Sequence, residues 1–169
     1  MPSKLATDRL PASFWAMFKR AKLIFLLLSV FSLVLPAMAG WTEDYSAAVI
    51  TAKNEKKLLL LNFMGSDWCA PCNQLEKEVY STTTFEEYAT KHLILVKVDF
   101  PLRSPQAEAV KQQNAKLQAQ YGVLDLPVAV LTDSEGKKLG QIFGYIEGGP
   151  TAFIKELEKI AGDGHFTAR

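Results

Sequence analysis

Both cysteines of the 169-residue chain fall in one short run, Trp68-Cys69-Ala70-Pro71-Cys72. Two thiols spaced this way can close a disulfide, share a metal, or exchange electrons with another pair of sulfurs. A structural zinc site wants four ligands. The sequence holds no second Cys-x-x-Cys and only two histidines, His92 and His165, so no metal is expected. A purely structural bridge would close a very small loop, where loop-closure stabilisation is least. The reading that the residues favour is thiol–disulfide exchange.

That chemistry needs one sulfur poised as a thiolate. The pair directly follows the apolar run Leu58–Met64 and precedes a helical stripe of Leu75, Val79 and Tyr80. Cys69 is therefore expected near a helix N-cap, where unpaired N–H groups and the helix dipole favour a thiolate. Cys72, one turn inside, is expected to be more shielded. The spacing thus predicts that Cys69 attacks a substrate disulfide and Cys72 resolves the mixed disulfide. Pro71 stiffens the turn between them, and a proline suits the first helical position. The redox-active disulfide is itself the reacting group, and no separate cofactor is expected.

Alternating helices and strands must position the pair. Tyr45, Ala48, Val49 and Ala52 recur at helical spacing between Trp41 and Lys57, with Thr42 as the expected N-cap. Leu58–Met64 reads as a strand buried on both faces, interrupted only by Asn62. A short helix follows over Thr84–Lys91, with Phe85, Tyr88 and Ala89 inward, and then a strand over Leu93–Val98. Phe100–Pro105 holds two prolines and reads as a loop. Gln106–Tyr121 is a helix stopped by Gly122. Val128–Leu131 and Lys138–Tyr145 form a hairpin across Asp133–Gly136, and Thr151–Ala161 is a last amphipathic helix bearing Phe153, Ile154, Leu157 and Ile160. Crossover helices imply parallel strands and the hairpin adds an antiparallel edge. The expected class is α/β, one mixed sheet flanked by helices.

The first 39 residues differ in kind. Lys19, Arg20 and Lys22 precede the 13-residue apolar run Leu23–Leu35, and Ala37-Met38-Ala39 follows Pro36. Basic region, short apolar core and Ala-x-Ala site predict a cleavable signal peptide over 1–39 and a single domain over 40–169. The apolar run is shorter than the ~20 residues that span a bilayer, so a retained membrane tether is the alternative reading. The region before Lys19 is long for such a peptide, and Met17-Phe18-Lys19-Arg20 would be a more usual start than Met1.

Of 19 basic and 18 acidic residues, five bases and one acid lie in 1–39. The remaining 130 residues carry a net charge of −3. Nothing in that balance points to a nucleic-acid partner. A domain of this size can form a core without disulfide staples.

From Leu58 to Ala161 the chain resembles the thioredoxin superfamily. The resemblance is carried by the LLLLNF strand, the Trp68–Cys72 run, Leu126-Pro127 before the third strand, and Gly144 near the end of the hairpin. Asp67-Trp68-Cys69 and the KEVYSTTTFEEY segment are most similar to secreted bacterial thioredoxin-like proteins and to the C-terminal periplasmic domain of DsbD-type reductases. The resemblance implies a cis peptide bond at Pro127 facing the cysteines. It implies that Leu126 offers backbone hydrogen bonds to an extended substrate, and that Trp68 shields the sulfurs. It also implies a substrate protein bearing a disulfide or dithiol, a membrane electron donor of DsbD type, and a periplasmic or secreted monomer.

Some residues depart from the family. Asn62 stands near the place of a buried aspartate, and an amide cannot serve as a base. Asp67 and Glu76 could substitute, although solvated charges are the simpler reading of both. Ala70 replaces a glycine, and Val128 follows Pro127 in place of a threonine. The stretch Phe100–Gln120 is longer than its thioredoxin equivalent and reads as a connector, with a partner surface on its Gln/Ala-rich helix as the alternative. Ala70-Pro71 places no cation between the cysteines to stabilise the reduced form, which favours a protein-disulfide reductase. A thiol oxidase or isomerase, and a non-catalytic peptide-binding module, are the alternatives.

Overall fold

A computed structural model describes residues 40–163. The elements are β1 (Trp41–Thr42), α1 (Tyr45–Glu55), β2 (Leu58–Met64), α2 (Ala70–Leu75), α3 (Thr83–His92), β3 (Leu93–Asp99), α4 (Glu108–Tyr121), β4 (Val128–Thr132), β5 (Lys138–Phe143) and α5 (Gly149–Asp163). One π-helical turn, Glu76–Tyr80, prolongs α2.

The five strands form one sheet in the order β1-β3-β2-β4-β5. β1 and β2 run parallel to β3, while β4 is antiparallel to both β2 and β5. This is the mixed sheet expected from the sequence. Every residue of β2 is buried, because helices cover both faces and alternate side chains enter opposite cores. Leu58 and Leu60 pack with Leu75, Phe85, Phe153 and Leu157 from α2, α3 and α5. Leu59, Leu61 and Phe63 pack with Ala48, Ala52, Leu117 and Tyr121 from α1 and α4.

The boundaries differ from the expectation in ways that have local causes. Thr42 is not the cap of α1. It lies in β1, paired with Val96, and Asp44 caps the helix by accepting from the Ala47 N–H at 2.9 Å. Pro71 is the second residue of α2, not the first, a position whose N–H has no intrahelical partner to lose. α4 starts at Glu108 because Gln106 turns its side chain to the Asp99 carbonyl, 3.1 Å away. β5 stops at Phe143 because Gly144 takes φ +68° and donates to the Pro127 carbonyl at 2.9 Å. Gly122 ends α4 in the left-handed region, as its position predicts.

Candidate redox site

The cysteines sit where β2 hands over to α2. Gly65 accepts from the Cys69 N–H at 2.9 Å, closing the turn. A side chain at Gly65 would collide with the Trp68 indole, whose nearest atom lies 2.4 Å from an ideal Cβ. Cys69 is the N-cap of α2, with φ −88° and ψ 97°. Its Sγ accepts from the Cys72 N–H at 3.2 Å. Cys69 and Cys72 are joined as a disulfide with Cα atoms 5.2 Å apart. They are 4 % and 2 % exposed, so the N-cap position distinguishes them more than burial does. An N–H so placed at a helix N-terminus would favour a thiolate at that sulfur over a thiol.

Around the sulfurs lie buried Met64 and the half-buried Leu126 side chain. The Leu126–Pro127 peptide bond is cis. Trp68 is half-exposed. Its indole N–H donates to the Phe100 carbonyl at 2.8 Å, which pins the ring beside the motif. Ala70 and Pro71 occupy the first turn of α2.

Asn62 is 2 % exposed and lies two residues before Met64 on the same face of β2. Its Nδ2 donates to the Met64 thioether at 3.5 Å, and its Oδ1 has no hydrogen-bond partner. Asp67 is not a merely solvated charge. Its carboxylate accepts from three successive backbone N–H groups, Leu102 at 2.9 Å and Arg103 and Ser104 at 2.8 Å each. The Leu102 bond, with support from the other two, holds the Asp67 carboxyl down at about 2. Such a group is a poor base at neutral pH. Glu76 accepts from the Ser81 hydroxyl at 3.2 Å.

The segment after β3 does more than connect. Asn114 and Gln106 both donate to the Asp99 carbonyl, and the Asp99 carboxylate accepts from the Ser66 N–H at 2.9 Å. Asp99, Asn114 and Met64 thus brace the site, although no motif marks them. Their only sequence signal is position: Met64 and Asp99 each end a buried strand. Among the described residues, no cluster of potential metal ligands is present.

A disulfide at a helix N-terminus beside a cis-proline, on this sheet, defines a thioredoxin-fold thiol–disulfide oxidoreductase. The family model for the thioredoxin-like domain matches residues 45–161, and the chain belongs to that family. Its relatives are Dsb-type proteins. It is 36 % identical over 116 residues to the disulfide bond reductase DsbH of Chlamydia pneumoniae, covering 69 % of each chain. A solved DsbH oxidoreductase superposes with a TM-score of 0.70 at 34 % identity, covering 75 % of this chain and 86 % of that one. The thiol:disulfide interchange protein DsbD of Actinobacillus pleuropneumoniae is 28 % identical over 100 residues, which span 58 % of this chain and 15 % of that much longer protein.

Proposed function

We propose that this protein reduces disulfides in exported proteins through the Cys69–Cys72 pair. The observation that carries the reading is the Cys72 N–H pointing at the Cys69 sulfur from the first turn of α2. The Cys69 thiolate attacks one substrate sulfur. The substrate S–S bond breaks, a mixed disulfide forms, and the departing thiolate takes a proton from solvent. Cys72, losing its proton, then attacks Cys69 Sγ. The intramolecular disulfide forms and the second substrate thiol leaves. Two electrons and two protons pass to the substrate.

Leu126, whose side chain packs against the two cysteines, and Pro127 after it are the proposed surface for an extended substrate segment, together with Trp68 beside Cys69. The uncharged Ala70-Pro71 pair and the reductase relative support the reducing direction. The oxidised pair is recharged by a dithiol donor, for which a membrane protein of DsbD type is the proposed partner. Export by a cleaved signal peptide ending at Ala39 would place the monomeric domain in the periplasm or outside the cell. Those 39 residues lie outside the described residues, as does the choice between Met1 and Met17. Among the described residues, no helix is long and apolar enough to cross a membrane.

The test is insulin reduction driven by dithiothreitol. The wild-type protein should accelerate it, Cys69→Ser should abolish it, and Cys72→Ser should accumulate a mixed disulfide on Cys69. A wild-type protein that exchanges with no dithiol, or one whose peptide binding alone survives, contradicts the proposal. N-terminal sequencing of the exported protein should begin at Gly40; retention of residues 23–35 would instead indicate a tether.

A further inference from the structure

The loop between β3 and α4, residues 100–107, is held against the redox motif more tightly than a connector requires. At its start Phe100 donates its N–H to the Met64 carbonyl at 2.8 Å and accepts from the Trp68 indole. At its far end Gln106 returns to the Asp99 carbonyl. Its tip is gathered onto one carboxylate, Asp67, by three consecutive N–H groups. That carboxylate stands two residues before Cys69, so these bonds tie the loop tip to the motif.

The tip presents an uncovered apolar side chain, Leu102, which is 76 % exposed. Five large apolar side chains are exposed among the described residues, and three of them lie on segments joined to the redox motif by sequence or by hydrogen bonds. Trp68 adjoins Cys69, Leu102 rides on the loop bonded to Asp67, and Leu124 lies two residues before Leu126. Exposed apolar surface concentrated at a reactive site marks a contact surface.

Resting on the reading of the site as one of thiol–disulfide exchange, we propose that residues 100–107 form a recognition element for protein substrates, with Asp67 as its positioning residue. The occupant is an extended polypeptide that carries an apolar side chain near its disulfide and seats it on Leu102 and Trp68. Asp67 neither touches the reacting sulfurs nor moves their protons. Its anion fills a cradle of backbone N–H groups and fixes where Leu102 stands. A small disulfide that reaches only the sulfurs makes no use of this surface.

The experiment compares two substrates, insulin and 5,5′-dithiobis(2-nitrobenzoate), across wild type, Asp67→Ala, Asp67→Asn and Leu102→Ser. Losing the Leu102 contact should lower kcat/KM for insulin about fivefold to tenfold, mainly through KM, in Asp67→Ala and Leu102→Ser. Asp67→Asn, which keeps one acceptor oxygen, should fall between them and wild type. The rate with the small aromatic disulfide should stay within about twofold for all variants. Equal losses on both substrates would overturn the proposal, because Asp67 would then act on the cysteines. Unchanged insulin KM in Leu102→Ser would also overturn it. Exposed Leu102 keeps the test sound if Asp67→Ala folds poorly. If wild type reduces neither substrate, the exchange reading itself falls, an outcome distinct from any difference among the variants.

Discussion

Opening the disulfide should leave two thiols of unequal reactivity, and the geometry says by how much. The Cys69 sulfur is the N-cap acceptor of the Cys72 N–H at 3.2 Å. A hydrogen bond to a charged acceptor is worth ~1.5–3 kcal/mol, and each ~1.4 kcal/mol is tenfold in an equilibrium. The thiolate population of Cys69 should therefore exceed that of an unassisted thiol by ~10- to 150-fold below its titration. Stabilised thiolates are weaker nucleophiles, and the loss is roughly half of the gain on a logarithmic scale. The net advantage of Cys69 is then ~3- to 12-fold. The assay is iodoacetamide labelling of the reduced protein at about pH 6, sampled over time and read by peptide mass spectrometry. In urea the two rates should converge, because the helix that supplies the N–H is gone. Equal rates in the folded protein, or faster labelling of Cys72, would refute the assignment of Cys69 as nucleophile.

Four further outcomes concern the framework. Tyr121 donates its hydroxyl to the Gly136 carbonyl at 2.9 Å and lies 2.8 Å from the Tyr45 hydroxyl, which must then donate to it; Tyr121→Phe should cost ~1–3 kcal/mol in urea unfolding. Tyr80 buries a hydroxyl with no partner, so Tyr80→Phe should be neutral or stabilising by up to ~1 kcal/mol, and a comparable loss in both would contradict the hydrogen-bond assignments. Asn62→Leu removes another unpartnered buried oxygen and should leave stability within ~1 kcal/mol of wild type; a loss beyond ~2 kcal/mol would show that Oδ1 has an essential partner. Stability should also fall at both pH extremes. Burial, aided by Glu158, pushes the Tyr88 hydroxyl up to about 12, and burial likewise raises Tyr121 and Tyr80. A raised folded pKa gives stability that is full below ~10 and lost as pH climbs through the folded value. Asp67 has the opposite sign: its contribution is present above 3.8 and disappears as pH falls toward about 2. Denaturant melts that are flat between about pH 10 and 12 would contradict the tyrosine environments.

The sheet and the cysteine site were legible because their signals are local. An unbroken apolar strand, a Cys-x-x-Cys and a helical stripe follow one another without a gap, and Leu126-Pro127 stands alone before the next strand. β1 was not legible, since two residues carry no period and Trp41–Thr42 become a strand only by pairing with Leu95 and Val96. The role of Asp67 is not legible either, for a related reason. In sequence it is a charge in a polar turn; only the fold brings residues 102–104 to its carboxylate, 35 to 37 positions away. Gln106, Gln113 and Asn114 look like filler in a Gln/Ala-rich helix. Yet Gln113 accepts from the Tyr45 N–H at 3.0 Å and donates to the Glu43 carbonyl at 2.7 Å, tying α4 to the start of α1. Side chains that satisfy distant backbone groups leave no periodicity to read.

On the reading proposed above, the Cys69–Cys72 pair donates electrons. Its most direct test is the equilibrium potential of the pair, measured on the folded domain in defined thiol–disulfide buffers. A reductase with an uncharged Ala70-Pro71 turn should lie near the thioredoxin value of roughly −270 mV. A potential near roughly −120 mV, that of a strong dithiol oxidant, would make the protein an oxidant and reverse the direction of electron flow.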